Sequence, residues 1–207
     1  MCDYSGVSGS GQVDRGGRPA LTSARALAEV AQELFLERGF ENVSVDDVAA
    51  AAGVSRRTFF RYFSAKADVL WVESPAEIAR FRDLLAAAPP DEPYAGVLCR
   101  AAPEALHHPP GDRTWALHRA QLILTVPSVQ EKAAVRHAEW RRVATEFVVA
   151  RRGSAPDDLV AIAAGHAVLA ATVGAHEYWL THPHEELTEI MTRFLRLLVP
   201  AAPGGDG

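Results

Sequence analysis

Sulfhydryl chemistry is nearly absent from the 207-residue chain: Cys2 and Cys99 are its only cysteines, too few for a disulfide framework and without metal-ligand spacing. A reducing, cytoplasmic setting is therefore expected. The N-terminus lacks the apolar run of a secretory signal. Catalytic signatures are missing too, with no Gly-rich phosphate loop, nucleophile elbow or helical HExxH. Of the eight histidines, His107 and His108 adjoin Pro109 and Pro110, and His182 and His184 bracket Pro183. No catalytic residue, metal site or cofactor is expected.

Long hydrophobic runs are also scarce. The least charged stretch, "LVAIAAGHAVLAATVGAH" over 159–176, is rich in Ala and Gly and interrupted by His166 and Thr172. Its length only just reaches that of a membrane span, and a buried helix is the expected reading. Runs of alternating β-branched residues are lacking as well, which argues against a sheet. What is present is an apolar fraction of 48%, enough for a sizeable core, with residues recurring at spacings of three and four. The fold expected is all-α.

Positive charge is in deficit overall, 21 Lys and Arg against 26 Asp and Glu, so the molecule as a whole should repel polyanions. The stretch "SRRTFFRYFSAK" over 55–66 is the exception. It holds Arg56, Arg57, Arg61 and Lys66 without one carboxylate, a local charge of +4. Acids beyond about 8 Å would be largely screened from a phosphate bound there.

The surrounding pattern gives that charge a frame. Residues 1–19, glycine-rich and aperiodic, are expected to form a flexible arm ending near Arg15 and Arg18. A first helix should start at Thr22 or Ser23, bury Leu27, Val30, Ala31, Leu34 and Phe35, and stop at Gly39. Ser44 and Asp47 have the spacing of a capping box opening a short second helix. Gly53 and Val54 make a turn, and Ser55 caps a third helix. On that helix Phe59 and Phe63 fall on one side and Arg56, Arg57, Phe60 and Arg61 on the other. This is a helix-turn-helix pattern. Beyond it, one helix is expected over 67–87, then others over 94–106, 112–126, 128–152, 157–181 and 185–199, about nine in all, before a frayed tail over 200–207.

The run "ALAEVAQELFLERGFENVSVDDVAAAAGVSRRTFFRYFSAKADVL", 26–70, resembles the DNA-binding domain of the tetracycline-repressor (TetR) family along its whole length. The features that match are Leu34 and Phe35 before Gly39 and Phe40, Val45 before Val48 and Ala49, Ala52 to Ser55, then Thr58, Phe60, Tyr62, Phe63, Lys66 and Leu70. The resemblance implies a DNA-binding domain over 20–66, with 55–62 as the recognition helix, followed over 67–199 by a helical effector-binding and dimerisation domain. It further implies that Ser44, Thr58, Tyr62 and Lys66, with the amino end of the next helix, touch phosphate. Ser55 caps the reading helix, and Arg56, Arg57 and Arg61 would read bases, guanine above all. Phe60 stands where the family commonly has Tyr and cannot make that phosphate bond; a thymine methyl, a sugar or support of Arg56 are the roles open to it. Arg18, with Arg15, could enter the minor groove.

The partners implied are an operator duplex of near-palindromic sequence, a second copy of the chain, a small apolar or amphipathic effector, and no membrane. In the family the last two helices of each subunit pair. Leu187, Ile190, Met191, Phe194, Leu195 and Leu198 form the stripe that would face the partner or, alternatively, the subunit's own core. Trp115, Arg119, Leu122, Trp140, Phe147 and His166 are the effector-cavity candidates. "RRTFFRYFSAKADVLW" and "AEWRRVATEFVVAR" look like regulators associated with mycofactocin gene clusters and their acyl-CoA-like ligand-binding relatives. That branch would place cations such as Arg113, Arg119, Arg136, Arg141 and Arg142 at the cavity mouth. A repressor released by its ligand is the reading favoured. A helical adaptor of the same fold that no longer binds DNA is the alternative, and an enzyme is the least supported.

Overall fold

The side chain of Ser23 accepts a hydrogen bond from the Ala26 amide at 3.1 Å, and from that cap the first helix runs without a break. The computed structural model describes residues 23–200, so the arm over 1–19, with Arg15 and Arg18, and the tail beyond Pro200 lie outside the described residues. Nine α-helices are found within that span: α1 (Ala24–Arg38), α2 (Val45–Ala51), α3 (Arg56–Tyr62), α4 (Ser74–Ala86), α5 (Tyr94–Ala105), α6 (Arg113–Thr125), α7 (Pro127–Arg152), α8 (Leu159–Thr181) and α9 (Leu187–Leu198). The fold is all-helical, as the periodicity implies.

One expected helix is broken. The chain from Lys66 to Trp71 forms a 3₁₀ turn, and α4 starts only at Ser74. Pro75 explains the break: it has no amide hydrogen to donate, and its ring would strike the carbonyl four residues earlier, so it is tolerated only in a first turn.

Two apolar cores result. Phe35, Phe59, Phe63, Val48 and Leu27 fill the first, between α1, α2, α3 and the 3₁₀ turn. Leu122 of α6 and Val129 of α7 enter it from the far side of the chain. The second lies among α4, α5, α7, α8 and α9 around Phe81, Trp140, Val168 and Met191. Within it, Phe81 and Trp140 stack with ring centres 4.9 Å apart.

Helix α8 is the spine of that second core. It is long and apolar enough to cross a bilayer by length and composition. Its Ala161, Ala164, Val168, Ala171 and Ala175 are nevertheless packed against neighbouring helices. Asp158 accepts from the Val160 amide at 2.8 Å and from Arg152 Nε at 2.9 Å, and the Ser154 hydroxyl beside it together with these bonds pushes its carboxyl down to about 2. The apolar stripe of α9 is likewise spent inside the subunit, since Leu187, Ile190, Met191 and Leu195 are buried there. The large apolar residues left exposed on these two helices are Leu159, Ile162, Leu197 and Leu198.

Candidate nucleic-acid interface and effector cavity

The head presents α3 by three local devices. Ser44 accepts from the Asp47 amide at 3.1 Å while the Asp47 carboxylate accepts from the Ser44 amide at 2.8 Å, the reciprocal pair of a capping box. The Ser44 hydroxyl also donates to the Asp47 carboxylate, and that bond, with the one from the Ser44 amide, holds the carboxyl below its ordinary value. Gly53 turns the chain at φ +68°, a conformation costly for any residue with a Cβ. Ser55 then caps α3, accepting from the Thr58 amide at 3.1 Å and sharing a hydrogen bond with the Thr58 hydroxyl at 2.9 Å.

Phe59 anchors α3 in the core, with the Phe63 ring 5.4 Å away. The opposite face is exposed and carries Arg56, Arg57, Phe60 and Arg61. Arg57 makes no ion pair among the described residues. The Arg61 guanidinium lies over the Tyr62 ring and donates to its hydroxyl at 3.0 Å.

Two expected members of the cationic face differ. Arg56 is not free of acids: its Nη1 lies 2.6 Å from Asp46 Oδ2, because the first turn of α2 runs beside that of α3. Lys66 is turned inward. Its Nζ donates to the carbonyls of Phe40 at 2.6 Å and Val43 at 2.9 Å, over the Phe40 ring, and burial lowers its pKa. The ammonium thus closes the loop between α1 and α2. The amino end of the 3₁₀ turn is also occupied, since the Ala65 amide donates to Asp68 at 2.7 Å, and that of α4 sits beside half-buried Glu73 and buried Glu77. The surface charge left for a polyanion is concentrated on Arg57 and Arg61, and Arg18 lies outside the described residues.

Further from the head, α4, α6, α7 and α8 enclose a cavity of about 70 Å³ together with Trp71 and Leu106. Of the sequence candidates, Arg119 and Trp140 are on its wall. Four other candidates are elsewhere. On α6, residues 119, 120, 123 and 124 share the cavity face, which at 100° per residue turns Leu122 and Trp115 away. Leu122 reaches the first core, and Trp115 is buried with the guanidinium groups of Arg25 and Arg119 over its ring. Phe147 packs against the second core under Arg151. His166 is exposed on α8, about 15 Å along the axis from cavity-lining His176. Of the cations expected at the mouth, Arg136 lines the cavity, whereas Arg113 is tied to Glu186 and Arg142 to Glu146.

A chain of charges leads out of this cavity. Arg119 Nη2 lies 2.6 Å from Glu77 Oε1, with both side chains more than nine-tenths buried. Burial would raise the Glu77 carboxyl, but Arg119 holds it below its ordinary value. Arg119 Nη1 is 3.5 Å from Glu73, whose other oxygen pairs with Arg25 of α1. Burial outweighs both arginines at Glu73, and its pKa is raised. Arg25 completes the chain with Asp112 at 3.0 Å and Glu29 at 2.9 Å. Burial lowers the pKa of His176 and His137 beside the pair, and with other causes takes His108 down to about 4. Glu77 was not among the sequence candidates, because the partner it is buried with, Arg119, lies 42 positions further along the chain. A wider furrow between α5 and α9, about 880 Å³, is open to solvent and mixed in charge. The inner cavity is the more enclosed of these two.

Comparisons with known proteins agree with this geometry. The family profile described as bacterial regulatory proteins, tetR family, matches residues 27–70, and that of the MftR C-terminal domain matches 92–203. MftR of Mycobacterium tuberculosis, assigned as a mycofactocin biosynthesis transcriptional regulator, is 34% identical over 182 residues, covering 86% of this chain and 89% of that protein. Among solved structures, FadR of Thermus thermophilus, a TetR family transcriptional repressor in complex with lauroyl-CoA, superposes with a TM-score of 0.54 at 24% identity, over 89% of this chain and 100% of that one. FadR of Bacillus subtilis in complex with stearoyl-CoA gives 0.58 at 15% identity, over 85% and 97%. At those identities the superpositions establish the fold.

Proposed function

The chain belongs to the TetR family of bacterial regulators, with a C-terminal domain of the MftR type, and we propose that it acts there as a ligand-released repressor. That it is a DNA-binding transcriptional regulator and not an enzyme follows from the family. The finer reading is that a cytoplasmic homodimer lays each α3 in a major groove of a near-palindromic operator. Subunits would pair through α8 and α9, where Leu159, Ile162, Leu197 and Leu198 are exposed. The head would comprise residues 20–66 with its core continued to Leu70, and the remainder to 199 would bind effector and partner.

The observation that carries this reading is the exposed Arg57 and Arg61 face on a helix locked from behind by buried Phe59. An α-helix fits the major groove, and a guanidinium can bond guanine O6 and N7 together. Tyr62 and Thr58 flank that face, within reach of the sugar-phosphate chain. The effector would be an amphipathic molecule with an acyl chain, a reading supported by the lauroyl-CoA and stearoyl-CoA complexes of the two structural neighbours. A cavity of about 70 Å³ is well below the 300–1,000 Å³ usual for ligand sites, so such a chain would have to part the helices around it. That movement would carry the two heads off the spacing of one DNA turn, roughly 34–36 Å.

The test is a fluorescence-anisotropy titration of a duplex selected from random sequence. Arg57→Ala should lose about 1–3 kcal/mol on it, and lauroyl-CoA or stearoyl-CoA should release the wild type where CoA alone does not. A wild type without a preferred duplex would return the chain to the adaptor reading. Binding that ignores acyl-CoAs would remove the effector assignment alone.

A further inference from the structure

A carboxylate on a surface that meets a polyanion is a cost, and Asp46 stands on such a surface. It is the second residue of α2, its side chain is 64% exposed, and its Oδ2 lies 2.6 Å from Nη1 of Arg56 on α3. Asp47, one residue on, is turned away to Ser44. The same guanidinium is flanked by Phe60, whose ring centre is 5.1 Å from Cζ. Phe60 is itself steadied edge-on by buried Phe59, 5.5 Å away. Arg56 is therefore held between a carboxylate and a ring, while Arg57, next in sequence, makes no ion pair among the described residues.

The chemistry of arginine makes this arrangement directional. A guanidinium offers five N–H donors in a rigid plane, and Asp46 engages the end of one nitrogen. Enough remain for two parallel bonds to a base edge. Pairing also neutralises the group, which weakens its attraction for phosphate, an attraction that carries no sequence information. What is left is the part of its binding that depends on geometry.

We propose that Asp46 is the positioning residue that converts Arg56 from a phosphate-seeking cation into a base reader, with Phe60 as its second support. The proposal rests on the reading that α3 enters the major groove. One base pair in each half-site, guanine on the contacted strand, is specified through this pair.

Electrostatics and positioning predict opposite signs, which makes the test sharp. Removing an acid from a DNA-binding surface should by charge alone strengthen binding to every duplex. Full-length wild type, Asp46→Asn and Phe60→Ala are each put through selection from random duplexes with sequencing, then titrated against the selected and a scrambled duplex over a range of salt. The expected result for Asp46→Asn is tighter binding to the scrambled duplex, weaker binding to the selected one, and loss of about tenfold in discrimination at a single base pair per half-site. Phe60→Ala should relax the same position by less. Equal tightening on both duplexes, with every position still specified, would reduce Asp46 to a surface charge and overturn the proposal. Should Asp46→Asn fail to fold, Asp46→Ser takes its place under the same readouts, since the side chain is largely exposed. Failure of the underlying reading has a different signature, a wild type that selects no sequence at all.

Discussion

A Cβ added to Gly165 of α8 would stand 2.8 Å from the backbone carbonyl oxygen of Arg141 on α7. Backbone cannot swing aside. Gly165→Val should therefore cost about 1–3 kcal/mol through overpacking, read as a lowered thermal midpoint. Gly174 makes the contrast: its added Cβ would meet the Phe194 ring at 2.7 Å, and a side chain can move. Gly174→Ala should come out near neutral, since alanine also gains about 1 kcal/mol of helix propensity. Equal losses at both sites would mean that α7 can shift against α8.

Lys66 separates a structural from a DNA-contacting lysine. With its ammonium on the carbonyls of Phe40 and Val43, Lys66→Met should destabilise the head by about 1–3 kcal/mol and leave the salt dependence of DNA binding unchanged. A slope flattened by about one unit, measured on the folded variant, would mean that the group reaches phosphate instead.

Glu73 joins the cavity wall to α1 through Arg119 and Arg25. On the effector reading proposed above, Glu73→Gln should bind both duplex and acyl-CoA and yet release one less in response to the other, with the ratio of DNA affinities with and without effector falling toward unity. Arg25→Gln combined with it should lose no further coupling, because both act through one link. Additive losses would separate them.

His108 gives a pH dependence of known sign. Its folded pKa of about 4 lies below the ordinary 6.5, so between those values the unfolded chain binds the proton and the folded chain does not. Stability contributed by the neutral ring is present above about pH 6.5 and lost as pH falls toward 4, up to about 3 kcal/mol. His108→Gln should flatten that part of the stability curve in thermal melts. A wild-type curve already flat from 6.5 to 4 would place the ring in contact with water.

Much of this architecture is written in short-range patterns. Ser44 with Asp47, the Gly53 turn and the Phe59 side of α3 could be read directly, because caps, a left-handed residue and a 3.6-residue period act within a few positions. The break before α4 was equally local, yet the helix expected over 67–87 runs straight through it; Pro75 was the signal passed over. What could not be read were relationships across the fold. Asp46 and Arg56 are ten residues apart and meet only because two helices cross at a fixed angle. Leu122 looked as suitable for a cavity as Arg119, and only the packing of α6 between two cores decides which face each takes. The chain from Glu77 through Arg119 and Glu73 to Arg25 draws on three helices, which no spacing rule connects.

Leu122 and Val129 complete a core that otherwise belongs to the first seventy residues. Excising that region would leave a greasy socket where the α6–α7 corner had been, so the head should be insoluble or molten as a fragment. A chimera that exchanges reading heads between regulators would have to carry that corner with it, or rebuild the plug, before any change of target sequence could be judged.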